Sequence, residues 1–503
     1  MKKILKNITF ALAFSSAVVL QGCKGELDVK NLNEPNFSDV LKDPNSVAKV
    51  PAGGFLSLYN AMDGVGLSTL DITGDYMSSS WGNFGMRDLG TQPRAAYNNS
   101  IAYSNAGDTN LNLWRNLNAA LGIAREPLII INVEGKSLDK DGTNKVTGLV
   151  KASCEYLQGV SLGYLSLFFD KAFILDEKSA FGSLSLSSAS QVRDVAITKL
   201  EACIATCNAN TFTTTFFNGQ EYTNVQMAKI ANTMAARILA YHPRTPAESA
   251  LVNWAKVKTY AENGLDFDLI VNANANNYLT NARWLENAGP SQDTFWCRID
   301  QRIVSLMSTN GLQNVAPVGQ PMTWPDTGVD SLDQNGAIIQ DDRFRDDWVK
   351  GSPPFIPGRG RYFFSYYFTN RYTSTVDIDK GPCHLALKAE NDLLLAEALI
   401  RTSGSTTDAA ARINLTRTTR GGLPTLTGME TNLLAHVLYE RSIELMNSMA
   451  GMGFLDNRRM GYIDTATLQI VPNYFNAGTI PHYPVPALEL SSLKLPIYTF
   501  GGL

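Results

Sequence analysis

The chain has 503 residues, 44% of them hydrophobic, and its 43 Lys and Arg against 47 Asp and Glu leave a formal net charge of −4. That balance offers no general electrostatic reason to bind nucleic acid. Five cysteines remain once Cys23 is set aside, an odd number spread over a long chain, which is not a disulfide framework.

Met1-Lys2-Lys3 and Lys6 make a positive start, residues 8–20 are almost wholly apolar, and Gln21-Gly22-Cys23 follows. This is a secretory signal with a lipoprotein-type cleavage site. The apolar run is shorter than the roughly 20 residues a spanning helix needs. Residues 1–22 are read as the leader and 23–503 as one mature domain, held at a membrane by a lipid on Cys23. Gln21 departs from the usual residue before the Gly, so an ordinary secretory signal is the competing reading. No second apolar stretch is long enough to cross a membrane, and no linker divides the mature chain.

Residues 24–34 are polar. Asp43-Pro44-Asn45 reads as a helix start, with Asp43 as cap and Pro44 in the first helical position. The helix is expected to reach Met62, with Pro51 and Gly53-Gly54 as possible breaks. Four later stripes have helical period. Cys154, Leu157, Val160, Tyr164, Leu167 and Phe168 form the first, and Val192, Val195, Ala196, Leu200, Cys203, Ile204 and Cys207 the second. Met227, Ile230, Ala231, Met234, Ile238 and Tyr241 form the third, and Trp254, Val257, Ala261 and Leu265 the fourth. The first two and the last two are expected to pair as hairpins, at a spacing near that of tetratricopeptide repeats. Residues 272–382 carry many Asn, Gly and Pro, four of the seven Trp and no sustained stripe, so a long irregular insertion is expected, with a short strand at 361–367. Helices return at 385–401, 408–420 and 432–449, and the tail from Pro472 is rich in Pro and aromatics. The fold class is mainly α: a helix-pair scaffold over about 36–265 and 385–460 that presents a loop-rich insertion.

Glu390, the run Leu393-Leu394-Leu395-Ala396-Glu397-Ala398, Ile413-Asn414 with Arg417, Glu440-Arg441 with Glu444-Leu445, and Tyr483-Pro484-Val485-Pro486 occur in this order. Together with Cys23, Asn33-Glu34-Pro35-Asn36 and Asp342-Arg343, they resemble the SusD/RagB family of outer-membrane nutrient-binding lipoproteins over nearly the whole mature chain. Gly451, Asp456 and Arg459 match the family pattern, whereas Ala450 and Gly453 depart from it, as in a divergent member. The resemblance implies four tetratricopeptide-like helix pairs supporting an irregular ligand-binding half. It also implies a surface lipoprotein that captures oligosaccharides, less often peptides, and acts as a lid on a SusC-like TonB-dependent transporter. Glu26 and Asp28 partly resemble the acidic export signal of such lipoproteins.

Sugar binding calls for flat apolar platforms beside planar hydrogen-bonding groups. The segment from Asp75 to Arg87 has this makeup, with Trp81, Asn83 and Arg87 as candidate ligand contacts, and it lies where the family often places them. Core packing competes for Trp81, and loop hydrogen bonding for Asn83 and Arg87. Trp284, Trp296 and Trp324 in the insertion are further candidates, Trp324 foremost, whereas Trp114 and Trp254 lie on helical stripes and read as core. Asp333, Asn335, Gly336 and Asp342 faintly copy a calcium loop, but Ser331 in first place and Asp in twelfth argue for a solvated turn, so no metal is expected. Cys203 and Cys207 read as buried apolar groups. Glu440, Arg441 and Glu444 read as a helix ion-pair cluster with a structural role. No cofactor, nucleophile elbow or phosphate loop is evident. A glycan-binding surface lipoprotein leads, a peptide- or protein-binding one is the alternative, and a glycosidase with an unrecognised carboxylate pair comes last.

Overall fold

The computed structural model describes residues 43–139, 143, 145–180, 182, 184–286, 297–308, 339–350, 356–376, 379–461 and 475–502. Residues 43–47 belong to a unit of their own. There the Asp43 carboxylate accepts the Ser46 N–H at 3.1 Å and caps the helix Pro44–Val47, the start expected from the sequence. The second unit begins at Ala48.

In that second unit α1 (Val50–Met62) runs unbroken through Gly53-Gly54. Pro51 sits in its first turn, where a missing N–H costs no helical hydrogen bond. After α2 (Val65–Thr73) come α3 (Asn112–Leu128), α4 (Lys145–Phe168), α5 (Ala189–Ala209), α6 (Asn224–Tyr241) and α7 (Trp254–Glu262). The array resumes with α8 (Lys388–Arg401) and α9 (Thr406–Arg417). Contacts run in series from α1 against α3 through α4, α5, α6, α7 and α8 to α9. These are four stacked helix pairs in a tetratricopeptide-like array, each burying an apolar stripe its partner completes. The four stripes meet there as expected: Leu157, Leu200, Met234 and Val257 are fully buried, while Val195 and Ile204 are half-buried at the edge of theirs.

Local chemistry sets the helix starts. Ser188 with Gln191 and Thr223 with Gln226 form reciprocal capping boxes ahead of α5 and α6. Close approach between helices is set by glycine: a Cβ on Gly163 of α4 would lie 2.1 Å from Cδ1 of Ile238 on α6. All five remaining cysteines among the described residues are buried free thiols, Cys203 and Cys207 included.

The irregular half is held by short antiparallel pairings. β1 (Met77–Ser78) pairs with β3 (Arg298–Ile299), and β2 (Leu269–Asn274) with β6 (Lys380–Ala386). Between them β4 (Trp348–Lys350) pairs with β5 (Tyr367–Thr369). Two expectations change here. Leu385 is not helical: it belongs to β6, and α8 starts at Lys388. The strand expected at 361–367 begins only at Tyr367, with Phe364 in a lone bridge to Asp300. Both boundaries are set by partners far along the chain, which local periodicity cannot register.

α10 (Leu433–Glu444) and α11 (Met452–Met460) close the structure, α10 against α8 and α9, α11 against α2. They also show what the family-like residues do. Glu390 pairs with Arg237 of α6, and Glu397 with Arg441 and Arg459. Arg343 joins Asp341 to both Glu440 and Glu444. Glu440, Arg441 and Glu444 are therefore structural, but as buried links between elements rather than as a cluster within one helix. Burying such charges is tolerable only because every one is paired.

Candidate ligand-binding site

β1 leaves the core at Ser79 and Ser80. The Ser79 hydroxyl accepts the Trp81 N–H at 3.3 Å, and the Ser80 hydroxyl accepts the Ile356 N–H at 3.0 Å. The loop that follows is pinned at both ends, because the Arg87 N–H donates back to the Trp81 carbonyl at 2.8 Å. Trp81 is half-buried, packed against a core cluster that includes Ile72, Tyr76, Met77 and Met86. The guanidinium of Arg359 stands over its ring, 5.2 Å from the centroid. Trp81 thus rests on the core and is half-buried.

Asn83 is exposed at the tip. Phe84 follows at φ 55°, in the left-handed region that costs a non-glycine residue energy, and Gly85 continues at φ 72°. The Phe84 carbonyl is held by the Thr69 hydroxyl of α2 at 3.1 Å. Arg87 lies against Gly82 and donates to Asp88 at 2.9 Å. Tyr103 donates its hydroxyl to the other Asp88 oxygen at 3.3 Å, and the Asn105 amide donates to the Gly82 carbonyl at 2.9 Å. The structure therefore brings Trp81, Asn83 and Arg87 onto one surface with Asp88, Tyr103, Asn105 and Arg359. An indole beside planar amide and guanidinium groups can stack on an apolar sugar face and donate to its hydroxyls.

Trp284 lies in the helix Asn281–Glu286, and its side chain, with Trp296 and Trp324, lies outside the described residues. So do Asp333, Asn335 and Gly336; Asp342 is half-buried and receives a 3.3 Å hydrogen bond from Arg345. Trp114 and Trp254 are buried, as their stripes imply. Arg359, Tyr103 and Asn105 are absent from the sequence reading. Pro357-Gly358-Arg359-Gly360 has the makeup of a turn that displays an arginine, yet nothing local ties it to Trp81.

Perturbed acids lie away from this surface. Burial pushes Asp63 and Asp71 up to about 7 and raises Glu286 well above the carboxylate range. Asp71 and Glu286 line an internal cavity of about 20 Å³ with Tyr76 and Arg441, space for about one water. The carboxylate beside Trp81 is Asp88, tied to Arg87 and Tyr103.

No protein-family model and no curated protein matches the sequence. Solved structures do match. A SusD homolog from Bacteroides thetaiotaomicron aligns over 93% of this chain and 99% of its own, with TM-score 0.61 at 15% identity. A SusD superfamily protein from Bacteroides vulgatus covers 90% and 97%, with TM-score 0.59 at 16% identity. The surface glycan-binding protein A from Bacteroides uniformis covers 90% and 98%, also with TM-score 0.59 at 16% identity. At such identities the likeness is one of architecture, and over about nine tenths of its length the chain has the fold of the SusD superfamily.

Proposed function

We propose that the chain is a divergent member of the SusD/RagB family: a cell-surface lipoprotein that binds a nutrient glycan and passes it to a SusC-like TonB-dependent outer-membrane transporter. The observation that carries the reading is Trp81, half-buried on the core with the Arg359 guanidinium over its ring, in a loop that also carries Asn83 and Arg87. The likeness in fold to a surface glycan-binding protein, over 90% of this chain, supports it. Attachment is by the lipid on Cys23, facing the cell exterior; no described helix is long and apolar enough to cross a membrane. Binding rather than catalysis is the reading for the Trp81 surface, since Asp88 there is engaged by Arg87 and Tyr103 instead of facing a second acid across a sugar-sized gap.

The test is a thermal-shift screen of the mature chain, with Cys23 replaced by Ala, against oligosaccharides, polysaccharides and peptides. A ligand of the folded state raises the melting temperature by mass action. Shifts from one glycan class are expected. Shifts from peptides alone would replace the glycan with a peptide, and silence from every saccharide would sink the proposal.

A further inference from the structure

Beyond Phe84 the surface opens into a groove of about 550 Å³. It lies between the C-terminal turn of α1, the start of α2, the N-terminal part of α3 and residues 276–281. Six of its fourteen lining residues are asparagine: Asn60, Asn112, Asn116, Asn276, Asn277 and Asn281. The one charged lining residue among those described is Asp108.

We infer that this groove is a second binding segment for a neutral, hydroxyl-rich chain, continuous with the Trp81 surface through Phe84. The inference rests on the glycan reading above and extends it to a ligand class. Three observations carry it. First, the side-chain amides of Asn60, Asn112, Asn116, Asn276 and Asn281 have no protein partner among the described residues, although five such groups converge on one groove. An amide offers two donors and an acceptor in one plane, which suits a vicinal diol. A groove without cations gives an anionic chain no compensation.

Second, the backbone is specialised here. The residues Gly107–Leu111 make a π-helical turn immediately before α3, a rare feature that often accompanies function. Gly66 of α2 approaches that turn so closely that a Cβ would lie 2.8 Å from the Thr109 carbonyl oxygen. Asn105, Asp108, Asn112 and Asn116 recur at spacings of three and four along this helical run. They lead from the Gly82 carbonyl, which Asn105 holds, into the groove. Third, the strained residue of the Trp81 loop is Phe84, and its half-buried ring lines the groove. Left-handed backbone at a bulky residue persists only where its surroundings enforce it. Here it sets an aromatic ring where the two surfaces join.

The test compares chain lengths. The probes are neutral hexasaccharides of glucose, xylose and mannose, the matching trisaccharides, hexagalacturonate and a peptide mixture. They are titrated by calorimetry into the mature chain, the triple variant Asn60→Ala/Asn116→Ala/Asn276→Ala, and Trp81→Ala. The three asparagines have no side-chain partner to lose among the described residues, so the triple variant is expected to fold. It should bind the preferred hexasaccharide at least about tenfold more weakly and the trisaccharide as wild type does, whereas Trp81→Ala should weaken both. Hydrogen exchange should show hexasaccharide protection at 108–116 and 274–281. Unchanged hexasaccharide affinity in the triple variant, or protection confined to 76–90 and 356–362, overturns the groove and leaves the Trp81 reading standing. Equal binding of hexagalacturonate or peptide overturns the neutral class. A wild-type chain that binds no saccharide sinks both.

Discussion

Arg459 clamps Glu397 with two parallel hydrogen bonds, Nη1 to Oε1 and Nη2 to Oε2, each 2.8 Å long, and both side chains are fully buried. The clamp joins α11 to α8, and Arg441 of α10 meets the same carboxylate. Three helices thus meet at one charge. Burial alone would push the Glu397 pKa up; Arg459 and Arg441 outweigh it and hold the carboxyl well below its usual range.

Glu397→Gln should therefore destabilise the fold by about 3 kcal/mol at pH 7, because two buried guanidiniums lose one counter-charge and are left to share Asp456. A group with a depressed folded pKa contributes stability above its unfolded pKa and loses it as pH falls. The gap between wild type and variant should narrow from pH 7 to pH 3.5 in guanidinium unfolding curves. An equal gap at both values would remove the ion pair from the explanation.

Glu155 should show the opposite dependence. It is buried on α4, accepting from the Thr206 hydroxyl at 2.6 Å, and burial pushes its pKa up to about 7. A raised folded pKa gives stability that is complete below the unfolded value and disappears as pH rises through 7. The rise corresponds to on the order of 3 kcal/mol. Glu155→Gln should match wild type near pH 4.5 and exceed its melting temperature increasingly towards pH 8. A difference that stays constant with pH would show that folding leaves the Glu155 pKa unchanged.

At the contact of α4 with α6, Gly163→Ala should cost about 1–3 kcal/mol, despite alanine's better helix propensity, because the new methyl meets Ile238. Ile238→Val removes the nearest carbon, Cδ1. The double variant should lose less than the sum of the two single losses, and strict additivity in melting curves would rule out the clash.

At the candidate site, Trp81→Ala should weaken glycan binding by about tenfold or more, roughly 1.4 kcal/mol, through lost stacking area. Arg87→Ala should weaken it less, since Asp88 already engages that guanidinium. Calorimetric titration decides, and the reverse order would make Arg87 the principal contact.

The helical array was legible because α4 to α7 repeat apolar residues at helical period. Leu385 was misplaced because its strand partner at 269–270 is over a hundred residues away. Trp81, Asn83 and Arg87 were found through composition, since an aromatic in a Gly- and Ser-rich stretch is conspicuous. Arg359 and Tyr103 were not, because what matters in them is proximity.

By itself the sequence determined the leader-like start, the order and period of the scaffold helices, and the family-like motifs, all of which depend on residue types at short spacing. Only the tertiary structure decided what those motifs do, turning Glu397, Arg441 and Arg459 into buried charges that neutralise one another across helices. It alone decided which loop residues share a surface with Trp81, and that Asn60, Asn116 and Asn276 face one groove. The reason is physical: periodicity is a property of neighbours along the chain, whereas ion pairing and grooves come from neighbours in space.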